Sequence, residues 1–190
     1  YHIRQLSTGD LLRENRKQGT DLGQKAQAFM DGGDLVPDAV ILGMVAEEFK
    51  KPELDPGYIL DGFPRTVPQA HGLDQLLKDQ GQTLDHVLVL DVPDSELVRR
   101  LTARRSCSSC GHIYNLIFNP PTTEGVCDHD GSPLVHRSDD TEATVLNRLK
   151  VYKEQTEPLI THYTPQGLVR LIDGTGDVAD IYQRILAALK

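Results

Sequence analysis

The segment at residues 61–66 has the residue types of a phosphate-binding turn. It follows a short apolar run at residues 58–60, which is typical of a buried strand, so Asp61 should mark the carboxyl end of that strand, where open α/β sheets bind their ligands. Gly62 lets a ligand approach the backbone closely, and a proline stiffens the turn that aims Arg65. The planar guanidinium of Arg65 could then grip a phosphate through two hydrogen bonds. The segment alone is also compatible with an ordinary strand-to-helix turn and a solvated arginine.

Two short motifs between residues 107 and 131 have the spacing of a metal site. Cys107 and Cys110 form a Cys-x-x-Cys pair followed by glycine, and Cys127 and Asp130 repeat that register as Cys-x-x-Asp-Gly. Three thiolates and one carboxylate can hold a tetrahedral zinc ion with every position filled by protein, which is typical of structural zinc. His129 could compete for the fourth position, although the register favours Asp130. The alternative is a surface hairpin with three unligated cysteines.

The composition favours an enzyme that binds a small anion. The 190 residues can form one domain of moderate size with a small appendage, and the formal net charge is −8. That charge, and the acidic edge at residues 128–130, argue against a nucleic-acid partner, since nucleic-acid binders are usually basic. Arginines outnumber lysines and recur beside the motifs. The odd cysteine count and the lack of a long apolar stretch or a basic-then-apolar leader predict a cytoplasmic protein without a membrane partner.

Helical and strand patterns alternate along the chain, which predicts an α/β fold with a parallel sheet flanked by helices. Strands are predicted at residues 58–61, 87–91 and 168–173, and helices at residues 8–16, 20–30, 38–49, 67–78, 93–105, 141–160 and 177–189. Asp38 is expected to cap the third of these helices. The cysteine motifs lie in an insert that interrupts the alternation.

Three further segments extend the pattern, and together they resemble the adenylate kinase family. These are Ser7-Thr8-Gly9-Asp10-Leu11-Leu12-Arg13, the stretch from Asp61 to Gln69, and Arg137-Ser138-Asp139-Asp140 followed by Arg148. The resemblance runs from Tyr1 to residues 173–175 and is similar to the long, bacterial-type form whose lid binds zinc. It implies reversible phosphoryl transfer, ATP + AMP = 2 ADP, on a phosphate-loop kinase fold. The core would be residues 1–106 and 138–190, with a helical AMP-binding flap at about 8–51 and a small zinc-ribbon-like lid at 107–137.

The resemblance also implies roles for individual residues, mainly in positioning phosphates and stabilising their charge. The catalytic residues would be Arg65, Arg104, Arg137, Arg148 and Asp61, the last orienting water on the Mg²⁺ that accompanies ATP. AMP would be bound by Thr8, Arg13, Met30, Leu35, Val36, Ile41, Gly62, Arg65, Gln69, Arg137 and Arg148, with Gln69 at the adenine edge. ATP would contact Arg100, Arg104, Tyr114 and Gly176. Structural Zn²⁺ would be bound by Cys107, Cys110, Cys127 and Asp130.

Simpler interpretations stand beside these roles. The apolar set around Met30 is also typical of ordinary core, a single arginine on a helix is often solvated, and Tyr114 could be hairpin packing. Another nucleoside-monophosphate kinase is possible, although Thr8 and Gln69 favour AMP. A catalytically silent nucleotide-binding fragment is the alternative from a different class. The expected partners are AMP, ATP and ADP, bound by a monomer.

One family feature is missing from the 190 residues, the glycine-rich phosphate loop Gly-x-x-x-x-Gly-Lys. The resemblance places Tyr1 where the first helix after that loop should end. We therefore expect the active protein to contain a preceding segment with the loop. Residues 1–190 alone are expected to bind AMP weakly and to show no measurable phosphoryl transfer.

Overall fold

Parallel strands in two pairs form the centre of the computed structural model, which describes residues 3–54 and 57–190. Strand β1, Arg4–Ser7, lies beside β2, Tyr58–Asp61, with Ser7 opposite Asp61. Strand β3, Val87–Asp91, lies beside β7, Val169–Asp173. The α/β class with parallel strands is confirmed. Within the described ranges no backbone ladder joins the two pairs into one continuous sheet.

Strand β1 was not predicted, because it is short and begins with two exposed polar residues, while only Leu6 is fully buried. The expectation that a helix ends near Tyr1 falls on a residue outside the described ranges. Among residues 3–54 and 57–190, no helix combines the length and the apolar character that crossing a membrane requires.

The helices surround these strands, and several of them begin at a side-chain cap. They are α1 Thr8–Lys17, α2 Asp21–Gly32, α3 Asp38–Glu48, α4 Val67–Asp79, α5 Asp94–Thr102, α6 Glu142–Val151, α7 Pro158–Tyr163 and α8 Val178–Ala188. The side chains of Ser7, Thr20, Thr66 and Thr141 accept hydrogen bonds from backbone N–H groups in the first turns of α1, α2, α4 and α6. The prediction that Asp38 caps α3 is wrong. Pro37 holds the cap position without a side-chain hydrogen bond, and the Asp38 carboxylate instead accepts a hydrogen bond from Gln69.

Two predicted helices are shorter than expected. The helix predicted at residues 93–105 ends at Thr102, because Arg104–Cys107 forms strand β4. The helix predicted at residues 141–160 is divided into α6, a π-helical turn at Tyr152–Thr156, and α7. Pro158 begins α7 and has no N–H to continue the regular hydrogen-bond pattern.

A small antiparallel sheet organises the insert. Strand β4 lies between β5, Ile113–Asn115, and β6, Leu134–Val135. This sheet starts at Arg104, before the predicted start of the insert at residue 107. Cys107, Tyr114 and Cys127 form its buried centre.

Two apolar clusters hold the remaining elements together. The larger one packs α1 to α4 against β1 and β2 and includes Leu6, Leu12, Val45 and Leu73. The smaller one lies between α4 and α7 and is built on Ala70, Leu159 and Tyr163. Because α4 packs in both clusters, the helix that follows the turn at residues 61–66 is fixed by packing on two sides.

Candidate active site

A cleft opens between α1, helices α2 and α3, and the turn that follows β2. It encloses about 620 Å³ of empty space, its open mouth included. Its lining residues are Thr8, Gly9, Leu12, Arg13, Met30, Gly33, Asp34, Leu35, Val36, Ile41, Gly62, Arg65, Gln69, Asp139 and Arg148. The structure therefore brings every predicted AMP residue except Arg137 to one cleft. Gly9, Leu12, Gly33, Asp34 and Asp139 line it without having been predicted.

One end of the cleft is built around the carbonyl of Gly62. The Thr8 hydroxyl donates to this oxygen at 3.0 Å, and Arg65 Nε donates to it at 2.9 Å. Gly62 has a φ of +68°, and a Cβ there would lie 2.9 Å from Arg65 Nη2. The glycine thus permits both the left-handed turn and the close approach of the guanidinium.

Arg65 carries a charge that the protein does not neutralise locally. Among the described residues no carboxylate oxygen lies within 4 Å of its guanidinium, whereas Arg13 pairs with Asp10 at 2.6 Å. Burial, and then the positive charge of Arg148, lower the pKa of Arg65. A desolvated arginine beside other arginines favours an anion in the cleft, because the anion removes their repulsion.

The lining of the cleft also combines apolar side chains with one buried amide. Gln69 is 2% exposed, and its Oε1 accepts from the backbone N–H of Arg65 at 2.8 Å. Its Nε2 donates to Asp38 Oδ1 at 2.8 Å. Asp38 also accepts from the Thr66 hydroxyl at 3.0 Å. Sequence reasoning missed this role, because an aspartate at the start of a helix is more typical of a cap.

A buried carboxylate holds two of the predicted catalytic arginines. Asp140 is 0% exposed and accepts two hydrogen bonds from Arg104, at 2.8 and 2.6 Å, and one from Arg148 at 3.3 Å. Burial opposes the charge of Arg104, but the hydrogen bond and charge of Asp140 outweigh it, so the pKa of Arg104 is raised. Arg148 also donates to the Asp139 carbonyl at 3.1 Å. The two carboxylates that follow Arg137 in the sequence, those of Asp139 and Asp140, thus pair with Arg104 and Arg148 and not with Arg137.

Arg137 is a second arginine whose charge is poorly compensated. Its Nε donates to Ser106 Oγ at 2.7 Å, and no carboxylate of the described residues lies within 4 Å. Burial, followed by the charges of Arg13 and Arg104, lowers the pKa of Arg137 to about 10. Arg137 therefore lies close enough to Arg13 and Arg104 for their charges to lower its pKa, although it does not line the cleft.

The residues predicted for ATP fall into two places. Arg100 donates to the Gly174 carbonyl at 2.9 Å and pairs with Glu96 at 2.9 Å, which sets it beside the loop that contains Gly176. Tyr114 lies inside the insert, where its hydroxyl accepts from the Asp128 N–H at 2.7 Å. Burial raises the pKa of Tyr114 to about 12. Any contact of Tyr114 with ATP would therefore have to come from its backbone.

Asp61, the predicted partner of hydrated Mg²⁺, lies at the carboxyl end of β2. Its carboxylate is exposed and accepts from Gln5 Nε2 at 2.7 Å. The strand therefore ends at Asp61, the residue that the sequence pattern predicts. Its proposed role with Mg²⁺ stays a prediction.

The side chains predicted to bind metal meet at one end of the insert. Cys110 Sγ is 3.7 Å from Cys127 Sγ, Cys107 Sγ is 3.4 Å from an Asp130 oxygen, and one ligand atom of each residue lies within 4.8 Å of the others. The Ser132 N–H donates to the Asp130 carboxylate and lowers its pKa, so this ligand is ionised. The ring of His129 instead lies tilted against that of His112, with centroids 4.1 Å apart.

Comparison with known proteins agrees with this geometry. The family model described as "Adenylate kinase" matches residues 1–168. The chain is 50% identical over 189 residues to the adenylate kinase of Methanothrix thermoacetophila, an alignment that covers 100% of this chain and 87% of the relative. It is 51% identical to the adenylate kinase of Syntrophobacter fumaroxidans and 47% identical to that of Archaeoglobus fulgidus, with 100% of this chain and 89% and 88% of those relatives covered. The chain therefore belongs to the adenylate kinase family.

Proposed function

We propose that the protein catalyses reversible phosphoryl transfer between Mg²⁺-bound ATP and AMP, giving two molecules of ADP. The observation that carries this proposal is the cleft that is lined by both the Arg65 guanidinium and the buried amide of Gln69. An uncompensated arginine suits the phosphate of AMP, and a buried amide with apolar neighbours suits its base. Arg13 would share the phosphate with Arg65, while Met30, Leu35, Val36 and Ile41 would enclose the adenine.

The arginine cluster would supply the charge stabilisation that the reaction needs. In phosphoryl transfer the protein contributes mainly positioning and compensation of negative charge on the transferred group. Arg104 and Arg148 are held by Asp140, and Arg137 is held by Ser106, so their positions are set before the substrates arrive. Arg100 and Gly176 would contact ATP, and Asp61 would orient water on its Mg²⁺.

The insert at residues 107–137 would act as a lid, and the helices within residues 8–51 as a flap over AMP. Closure of both would exclude water, which otherwise competes as the phosphoryl acceptor. Three cysteine sulfurs and one ionised carboxylate, all within 4.8 Å of one another, fit Zn²⁺ as a structural ion. It would be bound by Cys107, Cys110, Cys127 and Asp130. The three cysteines are free of disulfides, which fits a reducing compartment such as the cytoplasm. The protein would act there as a monomer.

The test is an acceptor screen with the purified full-length protein. ATP and Mg²⁺ are supplied with AMP, GMP, CMP or UMP in turn, and the nucleoside diphosphates formed are measured. We expect turnover with AMP to exceed turnover with every other acceptor. Preference for another monophosphate would identify a different nucleoside-monophosphate kinase, and AMP binding without ADP formation would favour a catalytically silent nucleotide-binding protein.

A further inference from the structure

Three potential metal ligands meet on the outer side of the contact between α4 and α7. His71 and Asp74 lie on neighbouring turns of α4, and His162 projects from α7 toward them. His162 Nε2 is 3.2 Å from Asp74 Oδ2, and the rings of His71 and His162 meet edge to face with centroids 4.9 Å apart. One ligand atom of each residue lies within 4.8 Å of the other two.

These distances are close to those of a coordinated ion. Metal–ligand bonds of about 2.0–2.2 Å at tetrahedral angles place neighbouring ligand atoms roughly 3.3–3.6 Å apart. The His162 to Asp74 distance of 3.2 Å already approaches this value. His71 is exposed, so its ring is free to close the remaining gap by a side-chain rotation.

The backbone beneath the three side chains is fixed by packing. Ala70 and Tyr163, their neighbours in sequence, are 0% and 1% exposed and belong to the apolar cluster that joins α4 to α7. The His162 side chain is 17% exposed and the Asp74 side chain 39% exposed, which leaves room for water to complete the coordination. The group is separate from the nucleotide cleft and from the cysteine motifs.

We propose that His71, Asp74 and His162 form a second metal site, which takes a divalent ion of the zinc, cobalt or nickel class. Two imidazoles and one carboxylate match the preferences of these ions, and a water ligand would complete the coordination. The ion would link α4 to α7 and so stabilise the folded core. It would bind more weakly than an ion at the four-ligand cysteine site, because it has fewer protein ligands and no thiolates.

A matched pair of substitutions separates metal binding from simple hydrogen bonding. Asp74→Asn keeps a polar partner for His162 but removes the carboxylate ligand, while Asp79→Asn makes the same change on α4 away from the site. Each protein is dialysed against micromolar Zn²⁺, and bound zinc and melting temperature are measured. We expect wild type and Asp79→Asn to bind one zinc more per chain than Asp74→Asn, and to gain melting temperature on zinc addition that Asp74→Asn lacks.

Imidazole resonances provide an independent measurement on the unaltered protein. Zinc added after the cysteine site is saturated should shift the ring C–H signals of His71 and His162, assigned from the variants His71→Gln and His162→Gln. Equal zinc content and equal melting shifts in wild type and Asp74→Asn would overturn the proposal. Unchanged ring signals during the titration would also overturn it.

Discussion

The Gln69 side chain donates from Nε2 to Asp38 Oδ1 at 2.8 Å, while its Oε1 accepts from the Arg65 backbone N–H at 2.8 Å. A carboxylate only accepts and a backbone N–H only donates, so these two partners determine which way the amide is oriented. One N–H and one oxygen lone pair of Gln69 then remain for a ligand. Adenine offers a matching acceptor and donor at adjacent positions of its edge.

Removing the Asp38 carboxylate should weaken AMP binding through Gln69. With Asp38→Ala the amide loses the partner that orients it, and we expect the Kd for AMP to rise roughly tenfold, the equivalent of about one hydrogen bond. Asp38→Asn retains an oxygen that can accept from both Gln69 and Thr66, so its Kd should change by less than about threefold. Calorimetric titration with AMP measures both variants. Equal effects of the two substitutions would contradict an orienting role for Asp38.

Arg65→Lys tests the phosphate end of the cleft. Lysine keeps the charge but lacks the planar fork, and we expect kcat/KM to fall roughly ten- to thousandfold, as for loss of one positioned donor. Arg170→Lys is the matched control, because within residues 3–54 and 57–190 that guanidinium bonds only to nearby backbone carbonyls. Steady-state ADP formation from ATP and AMP by the full-length protein is the measurement. Full activity of Arg65→Lys would remove this residue from the site.

The local parts of the site could be predicted from the sequence, whereas the long-range ones could not. The turn at residues 61–66 is specified by its own residues, since a strand end, a glycine and a proline determine its course. The hydrogen bond between Gln69 and Asp38 joins positions 31 residues apart, and no periodic pattern in the sequence predicts it. The sequence pattern predicts that α5 continues through Arg104 and Arg105, because only the pairing of β4 with β5 and β6 makes these residues extended.

Asp140→Asn should destabilise the fold. The buried carboxylate is shared by Arg104 and Arg148, and an amide would leave part of their charge unpaired. Because both arginines are partly exposed, we expect a loss of about 2–3 kcal/mol in the free energy of unfolding, less than for a fully buried pair. Asp139→Asn is the control, since its carboxylate only approaches Arg148 at 3.5 Å, and it should cost below about 1 kcal/mol. Urea unfolding distinguishes the two, and equal losses would refute the bridging role.

The cysteine site should affect stability more than turnover. Thiolate–zinc binding energy adds to folding free energy, so chelation or Cys110→Ser should lower the melting temperature by more than it lowers kcat. After dialysis against metal-free buffer, elemental analysis should find about one zinc per chain at this four-ligand site. Ser108→Ala, beside the cysteines but outside the ligand set, is the control. A protein without zinc whose melting is indifferent to chelator would refute the ligand assignment.

Arg137→Gln should expose a conflict between stability and function. The pKa of Arg137 in the folded protein, about 10, lies below the ordinary value of 12.5, so folding disfavours its charged form. The resulting loss of folding stability is present at every pH below about 10 and disappears as the pH rises from 10 to 12.5. At neutral pH and without ligand, Arg137→Gln should therefore melt no lower than wild type. Bound anionic nucleotides compensate the charge of Arg137 and so remove this destabilisation. ATP with AMP should therefore raise the melting temperature of wild type more than that of the variant.

Arg104→Gln is the matched comparison for this last prediction. The pKa of Arg104 is raised because Asp140 outweighs the effect of burial, so the folded state favours its charge. Its contribution to stability is present below the ordinary pKa of 12.5 and is lost only as the pH rises through the still higher folded value. At neutral pH Arg104→Gln should therefore lower the melting temperature of the ligand-free protein, which Arg137→Gln does not. Thermal melting of both variants, with and without nucleotides, gives the comparison. The contrary result is that Arg137→Gln destabilises the ligand-free protein as much as Arg104→Gln does. That result would mean that the protein itself compensates the charge of Arg137. The proposed role of Arg137 at the transferred phosphoryl group would then lose its physical basis.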